Sequence, residues 1–172
     1  MAGARGGGWG WRVMALTLWP WWALSIRDHG KRVENRGWAP VRLQVGHLGE
    51  RIAIHAGVRV PTRDDLDSWL LTIGLADRAA HPELAPLEFL SLDTDDPAHI
   101  RFLRAAIAEV AGRVICTARL VGVDRDQRTP WDVHGQWHWR LADVERVEGQ
   151  PVVRGRLGLW DWQPAEGEVT RG

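Results

Sequence analysis

The stretch HGKRVENRGW, residues 29–38, holds the single lysine of the chain, Lys31, three residues before Glu34 and five before Arg36. The other 21 of the 22 basic side chains are arginine. Lysine is a compact ammonium that can give up a proton when desolvated, whereas arginine is a planar fork that stays charged. A carboxylate set between two cations would hold both in place. The K-x-x-E-x-R spacing therefore suits acid–base work or the gripping of an anion. It equally suits a surface ion pair worth about 0–1 kcal/mol. Strict strand alternation would point Lys31 away from Glu34 and Arg36, so the three converge only if a turn precedes the strand.

Around this motif the sequence offers aromatic rings and guanidinium groups. Twelve tryptophans stand beside two phenylalanines and no tyrosine. Most are expected in the core. Trp22, Trp38 and Trp131 flank the basic motif or lie in a polar loop, which is where a ring could stack on a base. Arg32, Arg36 and Arg42 are the candidates for holding phosphate. Other chemistries lack their signatures. His134 and His138 would chelate zinc from a helix, but they adjoin the alternating Trp137 and Trp139. A strand separates residues four apart by about 13 Å, so no metal site is expected. None of the three serines sits in a G-x-S-x-G turn, and no G-K-[ST] follows the early glycines. No cofactor is expected. Cys116, in the apolar run VICTA, reads as a buried inert thiol.

The elements that would position these residues are legible as periodicities. Ala15 to Leu18 reads as a strand, and Pro20 opens a helix carrying Trp22 and Ile26 that Gly30 stops. KRVENR reads as extended chain. RIAIHAG, residues 51–57, alternates Ile52, Ile54 and Ala56 against Ala53 and His55. Thr62 caps a helix with Asp64 and Asp65 in its first turn and the stripe Leu66, Leu70, Ile73. After the loop HPELAPLEF, Asp96 and Pro97 open a helix with the stripe Ile100, Leu103, Ile107, Val110, closed at Gly112. RVICTARLVGV, WHWRL and VVRGRLGLWDW then read as three strands, with Gly155 and Gly158 marking a bulge or tight packing. Net charge is zero. Residues 1–60 carry nine basic and three acidic side chains, residues 61–112 four and ten, residues 113–172 nine and nine. A basic first third fits a polyanion-binding face as well as it fits chance placement of acidic helices elsewhere.

The segment LTLWPWWALSIRDHGKRVENRGW resembles the opening of ASCH domains, the activating-signal-cointegrator homology family of the PUA-like superfamily. Leu16, Trp22, Ala23, Gly30, Lys31, Glu34, Asn35, Arg36 and Trp38 fall into the family's register without a gap. RIAIHAG resembles its next strand, and WHWRLADVERV and PVVRGRLGLWDW its closing strands. Two positions depart: Trp19-Pro20-Trp21 stands where relatives carry arginine-glutamine-proline, and His29 replaces a glycine. The resemblance implies an α+β fold, a PUA-like mixed-sheet β-barrel with helices outside or across one mouth. It also implies a cleft lined by Lys31, Glu34 and Arg36, with His55 on the neighbouring strand, that takes RNA or another single-stranded nucleic acid. Some relatives remove an acyl group from N4-acetylcytidine with a threonine nucleophile. That position is Glu34 here, so a ribonuclease fits better than that amidohydrolase.

These readings give one domain over residues 14–163 with a helical insertion at about 58–112. A disordered extension covers 1–13 and a flexible tail 164–172, Met14 reading as a natural start. No secretory leader or membrane span is read, and a cytoplasmic location is expected. Three functions stay open. One is RNA binding through the basic cleft. A second is hydrolysis in the same cleft, with Lys31 or Glu34 as acid or base. The third is a protein adaptor that uses a tryptophan-rich surface.

Overall fold

Pro20 takes the first turn of α1 (Pro20–Asp28), where its missing amide costs nothing. The helix directly follows β1 (Val13–Leu18). After Gly30, whose positive φ of 66° turns the chain, β2 (Val33–Arg36) runs along one sheet edge. The structure, a computed structural model, describes residues 13–37, 48–80 and 92–165. The remaining described elements are β3 (Arg51–Ala56), α2 (Arg63–Ala80), α3 (Pro97–Val110), β4 (Arg113–Asp124), β5 (Trp137–Arg146) and β6 (Leu159–Trp162).

The six strands form one mixed sheet in the order β2-β5-β4-β3-β1-β6, curled into a half-barrel. Only β1 and β3 run parallel, with α1 and β2 between them in the chain; every other pair is antiparallel. Strand alternation divides the two faces as the sequence predicts. Leu16, Ile52, Ile54 and Ala56 join the helices in the main core, while Ala15 and Ala53 pack with Val114, Trp160 and Trp162 on the other face. β4 is buried on both faces through its first half, which is why its sequence reads as a continuous apolar run.

Both long helices start as their sequences require. Asp65 Oδ2 accepts from the Thr62 amide at 2.9 Å, and the Asp65 amide donates back to Thr62 Oγ1 at 3.2 Å. Asp96 accepts from the Ala98 amide at 2.7 Å. Leu66, Leu70, Ile73, Leu103, Ile107 and Val110 are all buried. No helix among the described residues is long and apolar enough to cross a membrane.

Two boundaries differ from the sequence reading. Val13 is not part of an extension: it pairs with Trp162 at the start of β1. The closing strand is only Leu159–Trp162, and residues 152–158 form an irregular strap before it. The strap's backbone is spoken for by other elements. Val153 donates to Gly112 O at 2.7 Å, and the Arg156 amide donates to Thr17 Oγ1 at 3.3 Å. A Cβ at Gly155 would meet Thr17 Oγ1 at 2.7 Å and His55 Cε1 at 2.8 Å, so glycine is required there by contact. HPELAPLEF, residues 81–89, lies outside the described residues.

Candidate nucleic-acid interface

Lys31 owes its position to the end of α1. The amides of His29 and Lys31 both donate to Ser25 O at 3.1 Å. Ser25 is itself fixed from inside: its hydroxyl donates to Trp21 O at 2.9 Å and accepts from Trp69 Nε1 at 2.8 Å. Because Lys31 leaves a turn rather than a strand, it does not obey strand alternation. Its ammonium bonds Val33 O and reaches Glu34 Oε2 at 3.0 Å. Lys31 is 2 % exposed and Glu34 8 %. The Arg36 guanidinium lies 3.4 Å from the other oxygen, Glu34 Oε1. One carboxylate thus sits between two cations. The arrangement leaves donors over: Arg36 Nε and Nη2 are enclosed without a hydrogen-bond acceptor among the described residues.

These three side chains lie in the wall of a cleft of 870 Å³. The β2 edge supplies one side. The C-terminal ends of β1 and β3, with the strap, supply the other. Two tryptophans from distant parts of the chain also line it: Trp22 of α1 and Trp131 of the β4–β5 loop, whose rings meet edge to face at 6.5 Å.

The loop that carries Trp131 is held by a second charge cluster. Asn35 clasps it, donating from Nδ2 to Trp131 O at 2.8 Å and accepting from the Val133 amide at 3.2 Å. Asp132 accepts from the amides of Arg128 and Thr129 at 2.8 and 2.7 Å and from Arg140 Nη1 at 2.6 Å. Arg140 also bonds both oxygens of Asp124, at 3.0 and 2.7 Å. Burial works to raise the Asp132 pKa, but the two amides and Arg140 outweigh it and hold the carboxyl below its ordinary value. Asp124 is likewise held low, chiefly by the hydrogen bonds from Arg140.

His55 is buried in the cleft wall, its Nε2 3.1 Å from Val153 O. Burial lowers its pKa, against the pull of the Val153 and Gly112 carbonyls, so the ring is neutral at neutral pH. Burial raises the Cys116 thiol to about 12, as an inert core cysteine requires. His138 is buried between Asp126 O and Val133 O at 3.0 Å each, and no group of metal-ligating side chains occurs among the described residues.

Of the residues singled out from sequence, Lys31, Glu34, Arg36, Trp22, Trp131 and His55 meet in this one cleft. Arg32 does not line it. Its guanidinium turns back to cap α1, donating to Ile26 O at 2.9 Å and Lys31 O at 3.2 Å. Trp38 and Arg42 lie outside the described residues. Sequence reasoning passed over Arg59, Arg154 and Arg156, which also line the cleft. Arg59 stacks on the half-exposed Trp19, its Cζ 3.8 Å from the ring centroid, and pairs with Asp65 at 3.0 Å. The signal that could have found the other two was the R-x-R spacing in VVRGRLG. Among the described residues the lining thus carries five cations, Lys31, Arg36, Arg59, Arg154 and Arg156, against the one carboxylate of Glu34.

No protein-family model matches the chain, and no curated protein is similar enough to count as a match.

Proposed function

We propose that the chain is an ASCH-type, PUA-like domain that binds RNA or another single-stranded nucleic acid in this cleft. One observation carries the reading: among the described residues, five cations and two edge-to-face tryptophans share a concave site with a single carboxylate. The cationic wall would neutralise phosphates and release the counterions condensed on the strand, and a base has ring surface to stack on at Trp22 or Trp131. The acidic helices do not oppose this, since among the described acidic residues only Glu34 faces the cleft. Titrating a short single-stranded RNA at two salt concentrations tests the proposal. Affinity is expected to fall as salt rises. Binding that ignores salt, or no binding at low salt, sinks it.

A second reading, hydrolysis in the same cleft, draws on the burial of Lys31. In this reading a buried lysine in the cleft wall, hydrogen-bonded to a carboxylate, would act on substrate as well as anchor it. Deacylation through a side chain three residues after the lysine has little support, because that residue is the ion-paired Glu34. Product formation from RNA by the wild-type chain, lost in Lys31→Arg while binding persists, separates an enzyme from a binder.

A further inference from the structure

The strap, residues 152–158, combines a pinned backbone with free side chains. Val153 is tied at its amide to Gly112 and at its carbonyl to His55, the Arg156 amide is tied to Thr17, and Gly155 has no room for a side chain. Arg154 and Arg156 nevertheless both line the cleft as exposed residues, and among the described residues neither guanidinium has an ion-pair or hydrogen-bond partner. Most other cations around the site are engaged: Lys31 by Glu34, Arg59 by Asp65, Arg32 by helix carbonyls. Leu157, between Arg156 and the turn at Gly158, is fully exposed and lines the same cleft. An exposed R-x-R-L on a fixed backbone gains nothing for the described fold, since its charges have no counter-charge and its leucine no core among the described residues.

We propose that Arg154 and Arg156 form a two-phosphate clamp, so that the cleft takes an internal stretch of a single strand with at least two consecutive phosphodiesters and not a free nucleoside. The assignment rests on the nucleic-acid reading above and narrows its ligand. Residues two apart in the chain lie at most about 7 Å from one another, comparable to the step between successive phosphates of an extended strand. Each guanidinium fork meets one phosphate, and Leu157 offers apolar contact to the sugar between them. The opposite wall, with Trp22 and Trp131, receives a base from the same strand. The fixed backbone limits the ordering cost to the two side chains.

The test compares three ligands, a nucleoside, a dinucleotide with one phosphodiester and a single-stranded hexanucleotide, against wild type and the double variant Arg154→Gln/Arg156→Gln. Both residues are exposed, so an unchanged melting temperature is the folding control. Wild type is expected to bind in the order hexanucleotide, dinucleotide, nucleoside. The double variant should lower the slope of log K against log salt for the hexanucleotide by about 1.4, at about 0.7 for each phosphate, and bring its affinity close to that for the dinucleotide. If the double variant keeps the wild-type slope and affinity, the clamp is wrong while nucleic-acid binding stands. If the nucleoside binds as tightly as the hexanucleotide, the ligand class is wrong. If wild type binds none of the three at low salt, both the clamp and the proposed function fall.

Discussion

Two charge clusters flank Asn35, and their difference separates scaffold from site. In the cluster of Arg140, Asp124 and Asp132, Arg140 meets both carboxylates, Arg128 reaches Asp124 at 3.3 Å, and the Asp132 oxygens are filled by two backbone amides and a guanidinium. In the cluster of Lys31, Glu34 and Arg36, two cations share one carboxylate, and Arg36 keeps donors without an acceptor among the described residues. Both are largely removed from water. A saturated cluster of this kind fixes a loop and asks for nothing else. One with cations in excess, facing a cleft, is stabilised by an anion that the chain does not provide.

The comparison breaks most directly at Asp132. Replacing it with alanine leaves Arg140 Nη1 and two amides without their acceptor, while Arg140 keeps Asp124; breaking one partner out of a buried pair costs up to about 3–5 kcal/mol. Thermal unfolding should show a large drop, and RNA affinity should fall as well because Trp131 rides on the same loop. The cluster also sets acid sensitivity. The pKa values of Asp124 and Asp132 are depressed in the fold, so their stabilisation is complete above the ordinary carboxylate range and is lost as pH falls through the folded values. Melting temperature should therefore decline below about pH 4, and less steeply in Asp132→Asn than in wild type. Equal acid profiles would show that the cluster is not the sensor.

A smaller loss, about 2 kcal/mol, is expected for Glu34→Gln, because an amide oxygen still accepts from Lys31. The informative readout is rescue. Single-stranded RNA should raise the melting temperature of Glu34→Gln by more than that of wild type, since the variant exposes two unneutralised cations to the ligand. A smaller rise than wild type would mean that Glu34 contacts the ligand itself.

Lys31→Arg probes the same cluster by volume. Lys31 is 2 % exposed, so the wider guanidinium is expected to overpack the site, at a cost of about 1–3 kcal/mol. RNA affinity should stay within a few-fold of wild type, since the charge is kept. If melting temperature is unchanged, lysine is not held there by fit.

The smallest effect is expected for Trp22→Leu. It keeps the apolar packing of a half-buried position and removes one stacking face, which costs about 1 kcal/mol in binding. Quenching of tryptophan fluorescence on RNA addition should diminish with it. An unchanged affinity would move the stacking role to Trp131 alone.

Element existence followed from local rules. The caps at Thr62 and Asp96, the stripes from Leu66 to Ile73 and from Ile100 to Val110, and the alternation of Ile52 to Ala56 all act within a few residues, so periodicity and capping chemistry suffice to read them. The strap escaped that reading because VVRGRLG has strand-like alternation, yet its amides go to Gly112 and Thr17, far away in the chain. Arg32 escaped for a similar reason: its sequence neighbours mark it as part of the basic motif, but a guanidinium reaches several ångströms and found carbonyls at the end of α1.

The sequence by itself determined the helices, most of the strands and the inert cysteine, because each depends on residue type and short spacing; it marked Lys31, Glu34 and Arg36 as a motif but left their convergence open. Tertiary structure alone decided that Lys31 turns toward Glu34 against strand alternation, since that depends on a Ser25 held by Trp69 from another helix. It alone brought Trp131, 96 residues beyond Asn35, to that side chain, and joined Arg59, Arg154 and Arg156 into one cationic wall. Charge and ring chemistry are properties of residues. Their convergence depends on how a curled sheet brings distant strand ends and loops to one opening, and no local periodicity encodes that.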